Sequence, residues 1–206
     1  MHSLNASTGR YTEPMYPALP NHLTWARIVA IPIFIAVFYL PDDWLLPQQK
    51  NLVGTVLFVG AALTDLLDGY IARRYQLTTP FGAFLDPVAD KLIVAAALIL
   101  LVELDRVGAV VAAIIIGREI TISALREWMA KVGASRSVAV SMIGKVKTAA
   151  QMTAIPMLLY HQPLLGIDVQ AAGTWLIYLA AVLTLWSMAY YLRRARPVAA
   201  GDMQDG

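Results

Sequence analysis

Four aspartates stand in otherwise apolar sequence at a spacing that could do chemistry: Asp65 and Asp68, then Asp86 and Asp90, all within 26 residues. The first pair lies in Asp65-Leu-Leu-Asp68-Gly69-Tyr-Ile-Ala72-Arg73. Eight residues later comes Gly82-Ala-Phe-Leu-Asp86-Pro-Val-Ala-Asp90. An ionised carboxylate at the centre of a bilayer costs about 3 kcal/mol or more, so four of them need compensation. No His or Cys lies nearby. The donor set is hard oxygen, which suits Mg2+ or Mn2+ with water and phosphate oxygens completing the shell. Two such ions sharing a carboxylate would stabilise both the attacking and the leaving oxygen of a phosphoryl transfer. Two other readings compete. The acids could pair with local Arg and Lys at a solvated helix end, or they could line the ion path of a divalent-cation transporter.

Helical spacing decides which of these residues can act together. On a helix, Asp65, Asp68, Gly69 and Ala72 fall within about 100° of one another, with Arg73 at the margin. Asp86 and Asp90 are four apart and share a face, which Gly82 joins if the helix starts near Pro80. Thr79-Pro80 reads as an N-cap and first helical position. Pro87 could kink that helix or mark a later start. The small side chains at positions 69 and 72 leave room for a nucleotide or pyrophosphate, and Arg73 can pair with a phosphate.

The elements that must hold these residues are membrane-grade. The chain has 206 residues, 58% of them hydrophobic, and a mean hydropathy of +0.60, which fits an integral membrane protein better than a soluble domain. Six apolar segments approach the roughly 20 residues that a spanning helix needs. They lie near 22–40, 51–74, 82–102, 107–129, 142–160 and 172–192. The expected fold is therefore all-α, a polytopic bundle of six transmembrane helices. Residues 1–20 read as an interfacial or disordered arm without the apolar stretch of a secretory signal. Residues 21–194 read as one transmembrane domain and 195–206 as a tail. With no cysteine, thiol catalysis and disulfides are excluded. The net charge of +2 is too small to call for a nucleic-acid partner.

Charge orients the bundle. The connections near 41–50, 103–106 and 161–171 hold Asp42, Asp43, Glu103, Asp105 and Asp168. Of the 16 Lys and Arg, only Lys50 and Arg106 lie with them. The positive-inside rule then puts both termini and the aspartate cluster at the cytoplasmic side, near helix ends. Trp25, Trp44, Trp128 and Trp175 fall near segment ends, where amphipathic rings favour the interface.

The second half of the chain carries a different constellation. Arg118 and Arg126, eight apart, can face one cavity. Lys145 and Thr148 share a face, with Lys147 beside them. Cations converging on one half of a bundle point to a second anionic ligand, such as an acceptor that carries its own phosphate. Glu119 and Glu127 sit about 100° round the helix from the Arg that precedes each, and make imperfect partners for them. Glu119 could instead pair with Arg126. His2, His22 and His161 do not cluster and are not expected to be ligands. The Trp and Tyr of the last segment read as anchors or packing.

The run Asp65-x2-Asp68-Gly69-x2-Ala72-Arg73-x8-Gly82-x3-Asp86-x3-Asp90 resembles the motif of the CDP-alcohol phosphatidyltransferase family and matches it at every position. The resemblance implies a six-helix enzyme of the bacterial inner membrane, usually a homodimer, with its site facing the cytoplasm. Such an enzyme moves a phosphatidyl group from a CDP-linked lipid to an alcohol and releases CMP. The resemblance also implies two divalent cations, Mg2+ or Mn2+, on Asp65, Asp68, Asp86 and Asp90, with Asp90 serving as general base. Asp68, Gly69, Ala72, Arg73 and Gly82 would bind CDP-diacylglycerol. The segments Pro20-Asn21-x2-Thr24-x2-Arg27-x4-Pro32, Gly117-Arg118-Glu119 and Gly144-Lys145-Val146-Lys147 are similar to the branch of the family whose acceptor is sn-glycerol 3-phosphate. That branch implies Arg118, Arg126, Lys145 and Lys147 at the acceptor phosphate, and Asn21, Thr24 and Arg27 near the nucleotide. A sister branch using another acceptor, such as an inositol phosphate, is the nearest alternative.

Overall fold

The computed structural model describes the backbone of residues 19–75, 80–131 and 142–202, and the side chains of 25–65, 85, 88–131, 144 and 146–193. Among the described residues six helices follow one another: α1 (Leu19–Tyr39), α2 (Pro47–Tyr75), α3 (Pro80–Glu103), α4 (Ala109–Lys131), α5 (Met142–Tyr160) and α6 (Val169–Asp202). Among the described residues the only other regular feature is an isolated bridge between Leu164 and Ile167. The all-α expectation holds, and each of the six apolar segments falls on one helix.

The boundaries have local causes. Pro80 opens α3, where its missing N–H costs nothing. The helix then continues through position 87, so Pro87 does not mark its start. It ends in a Schellman arrangement: Asp105 takes φ 55°, the Asp105 N–H reaches Val102 O at 3.1 Å, and the Arg106 N–H reaches Leu101 O at 2.9 Å. Asp168 caps α6 by accepting the Ala171 N–H at 2.9 Å. Between α5 and α6, Leu165 and Gly166 take φ 52° and 79°, the pairing of a type I′ turn.

Packing joins α1 to α2, α2 to α5, α5 to α6, α6 to α4, α4 to α3 and α3 back to α1. The helices therefore close a ring. Its interior is filled by Phe34, Phe58, Leu101, Ile115, Ile155 and Ile177, one from each helix in turn. A smaller cluster of Ile122, Met129 and Tyr191 packs α4 against α6 nearer the other end. Gly54 is needed where α1 crosses α2, because a Cβ there would run into the ring of Phe38.

The outer faces are apolar too. Ile33, Val56, Ile99, Val110, Val146 and Val182, one from each helix, are all more than half exposed. By length and composition, one described stretch, Val169–Arg193, could cross a membrane, and Trp25–Tyr39 is a shorter apolar helix. In α4 the apolar run is interrupted by Arg118, Glu119 and Arg126. Three of the four expected interfacial tryptophans are exposed: Trp25, Trp44 and Trp175. Trp128 instead packs on the cluster of Ile122, Met129 and Tyr191.

One end of the ring is tied together by polar bonds. Lys50 donates to Leu40 O at 2.5 Å, the carbonyl just past the end of α1, and to Asp42 Oδ1 at 2.6 Å. The Tyr39 hydroxyl donates to Glu103 Oε2 at 2.5 Å, joining α1 to α3. Arg106 donates to Leu158 O at 3.1 Å and Leu159 O at 2.8 Å, the orphan carbonyls that end α5, and to Asn51 Oδ1 of α2 at 2.8 Å. Lys50 and Arg106 were the two cations that broke the charge asymmetry of the sequence. Both are bound to helix C-termini.

Candidate active site

Asp65 of α2 and Asp90 of α3 line one cavity of about 370 Å3 inside the ring, with Phe58, Ala62, Thr148 and Met152 among its walls. Three helices build it, and α3 and α5 meet there across the interior. Arg27 of α1 places Nη1 2.7 Å from Asp65 Oδ1. The Arg27 side chain is 2% exposed against 36% for Asp65, so the cation is sunk in protein while the carboxylate opens to the cavity. A guanidinium so deeply buried needs a paired charge. Beside it, Ala26, Ala30, Gly60 and Ala61 leave a second space of about 220 Å3 between α1 and α2.

The aspartates do not lie at helix ends, as the sequence suggested. Asp65 is ten residues before the end of α2 and Asp90 ten after the start of α3, about 15 Å along each axis. α2 has 29 residues and is about 43 Å long, so such a position is compatible with the edge of a hydrocarbon layer about 30 Å thick.

Positions 68, 69, 72 and 73 lie on the continuous helix α2, and 82 and 86 on α3. That is the backbone on which the shared-face reading depends. The side chains of Asn21, Thr24, Asp68, Gly69, Ala72, Arg73, Gly82, Asp86 and Lys145 lie outside the described residues. Among the described residues, no three His, Cys, Asp or Glu gather as a metal set.

The cations form a second cluster across α4, α5 and α6. Arg118 is 7% exposed. Its Nη2 donates to Ser187 Oγ at 3.3 Å and its Nη1 lies 3.3 Å from Glu119 Oε1. Ser187 in turn donates to Thr184 O at 2.9 Å. The Tyr191 ring lies under both guanidinium groups, 6.0 Å from Arg118 Cζ and 5.6 Å from Arg126 Cζ. Such cation–π contacts are worth roughly 0.5–2 kcal/mol each. Arg118 is buried and Arg126 exposed, so the pair runs from interior to surface.

Lys147, expected at the acceptor phosphate, donates its ammonium to Glu119 Oε1, and its side chain is 1% exposed. Glu119 pairs with Arg118 and Lys147 rather than with Arg126, because α5 brings Lys147 against it. Glu127 pairs with Lys131 one turn on, at 3.0 Å. Sequence reasoning also missed Thr184, Ser187 and Tyr191. Their spacing of three and four on an apolar helix marks one polar face, and that signal was available.

The two clusters are neighbours. Asp90 lines the 370 Å3 cavity, while the adjacent Lys91 lines another of about 190 Å3 together with Glu119. Lys91 also donates to Ser123 Oγ, tying α3 to α4. On α5, Lys147 holds Glu119 and the next residue, Thr148, borders the aspartate cavity. The arrangement therefore sets a carboxylate-lined cavity next to an arginine-lined face, with Lys147, Glu119 and Thr148 at the boundary.

A family model described as CDP-alcohol phosphatidyltransferase matches residues 17–186. A protein of Salmonella typhimurium (strain LT2), named CDP-diacylglycerol–glycerol-3-phosphate 3-phosphatidyltransferase, is 51% identical over 189 residues, covering 91% of this chain and 97% of that protein. The protein of the same name from Escherichia coli (strain K12) is 51% identical over 180 residues, covering 86% of this chain and 94% of that protein.

Proposed function

The chain belongs to the CDP-alcohol phosphatidyltransferase family, and from that footing we propose that it transfers the phosphatidyl group of CDP-diacylglycerol to sn-glycerol 3-phosphate, giving phosphatidylglycerol phosphate and CMP. The names of the relatives supply the substrates. The observation that carries the acceptor is the pair Arg118 and Arg126 over one tyrosine ring, since arginine forks bind a phosphate monoester by charge-assisted bidentate bonds that a neutral alcohol cannot make.

In this reading Asp90 takes the proton of the acceptor hydroxyl, a poor nucleophile near neutral pH without a positioned base. The freed oxygen forms a bond to the phosphatidyl phosphorus while the bond from that phosphorus to the CMP oxygen breaks. Arg27 holds Asp65 in place, and the backbone of α2 at Gly69 and Ala72 gives the nucleotide room, with Arg73 at its phosphates and Gly82 on the facing helix. Asn21 and Thr24 belong at the nucleotide end. Asp65 and Asp90 share one cavity and offer hard oxygen donors, which fits divalent cations held with Asp68 and Asp86. When bound, Mg2+ or Mn2+ would neutralise charge on the transferring phosphoryl group. Lys145 accompanies Arg118 and Arg126 at the acceptor phosphate.

The apolar outer faces support a bundle that spans the bacterial inner membrane over residues 21–194; within this reading the charge asymmetry of the sequence puts residues 1–20, residues 195–206 and the site on the cytoplasmic side. A homodimer is part of the same proposal. CMP release from CDP-diacylglycerol, driven separately by glycerol 3-phosphate, inositol phosphate, glycerol and serine, tests the acceptor. Release with glycerol 3-phosphate alone, abolished by EDTA and restored by Mg2+, is the expected result. Release driven by another acceptor moves the chain to a sister activity.

A further inference from the structure

We propose that Glu119 is a positioning residue of the acceptor-phosphate site, acting through Arg118, and that Lys147 serves the site by neutralising Glu119 rather than by touching the phosphate. This deepens the function proposed above and rests on it. One carboxylate oxygen, Glu119 Oε1, receives both Arg118 and Lys147. The Lys147 side chain is 1% exposed, and an ammonium that deep keeps its charge only beside an acid. At 1% exposed, it is closed to a ligand phosphate as the helices are packed.

Arg118 is held differently. Glu119 fixes one terminal nitrogen, Ser187 the other, and Tyr191 lies under the plane. Its Nε is buried and has no hydrogen-bond partner among the described residues. A buried N–H without an acceptor is rare, and on a guanidinium held at three other points it marks where an acceptor belongs. Arg126 lies over the same ring from the exposed side. The two forks are thus set before the ligand arrives, and the rotamer freedom of Arg118 is already lost. A phosphate monoester, with three acceptor oxygens, can take donors from both. Without Glu119 the same arginine would have to be ordered by the ligand, and affinity for the phosphorylated acceptor would fall.

Initial rates of CMP release in detergent micelles with Mg2+, together with melting temperatures, test this for the wild type, Glu119→Gln and the double variant Glu119→Gln/Lys147→Gln. Glu119→Gln should raise KM for glycerol 3-phosphate about tenfold or more, with kcat and the KM for CDP-diacylglycerol within about twofold. It should also melt earlier, since Lys147 is left without its acid. The double variant removes both charges and should recover its melting temperature while KM stays high. Recovery of KM together with stability would make Glu119 merely structural and overturn the proposal, as would an unchanged KM. If Glu119→Gln does not fold, the KM of the double variant decides alone. A wild type that releases no CMP with glycerol 3-phosphate overturns the function itself, and this inference with it.

Discussion

Arg27 of α1 holds the carboxylate of Asp65 on α2 at 2.7 Å, with the cation buried and the acid facing the cavity that Asp90 also lines. The pair thereby connects the first helix to the chemistry of the second and third. Substitution of Arg27 by Gln should remove the counter-charge and the orientation of Asp65 together. We expect kcat/KM for CDP-diacylglycerol to fall by about 100-fold, as for other misplaced catalytic groups. CMP release at saturating glycerol 3-phosphate measures it, and a fall of less than about threefold would return Arg27 to a packing role.

Asp90→Asn keeps the shape of the side chain and removes the base. Turnover should drop by about 100- to 10,000-fold, the range of general base catalysis. Binding of CDP, followed by calorimetry in Mg2+, should largely persist, because Asp65, Asp68 and Asp86, three of the four carboxylates proposed for the cations, remain. Retained turnover would exclude Asp90 as the base.

Arg106 makes three hydrogen bonds at the far end of the ring, two of them to the last carbonyls of α5. Arg106→Met should cost about 2–4 kcal/mol of stability, less than three charged hydrogen bonds at roughly 1.5–3 kcal/mol each would sum to, because Arg106 is only half-buried and water can replace part of what is lost. Thermal melting in detergent measures the loss. The KM for both substrates should stay as in the wild type.

His161 follows α5 with φ 53°, and burial, with the Arg106 charge nearby, holds its imidazole below the ordinary histidine range. The folded state favours the neutral ring. Its contribution to stability is complete above about pH 6.5, the unfolded value, and is lost as pH falls from there through the lowered folded value. Melting temperature should therefore decline between pH 7.5 and 5.5. In His161→Asn this part of the decline should vanish, because Asn tolerates the left-handed backbone and does not titrate. An unaltered pH profile would exclude His161 as its source.

Periodicity made the six helices legible, and the spacing of Asp65 and Asp90 matched two antiparallel helices facing one cavity. Asp65 was misjudged in depth although its apolar segment, 51–74, already put it nine residues from the end; the helix ends at Tyr75 and puts it ten, so the charged Arg73 near that end was given too much weight. Glu119 was assigned by rotation about its own helix axis, a rule that ignores what a neighbouring helix brings. Lys147 comes from another helix, 28 residues away. Tyr191 lies 65 and 73 positions beyond Arg126 and Arg118, so no local pattern could join them. Trp128 looked like an interfacial ring because it stands near a helix end, and the packing of α4 on α6 turned it inward.

The bonds made by Lys50, Arg106 and the Tyr39–Glu103 pair all lie at one end of the ring. Those bonds keep α1, α2, α3 and α5 in register at that end. Because α2 is about 43 Å long, a tilt of about 5° there would move its opposite tip by about 4 Å, so these distant bonds set how steadily the helix ends near the site are held.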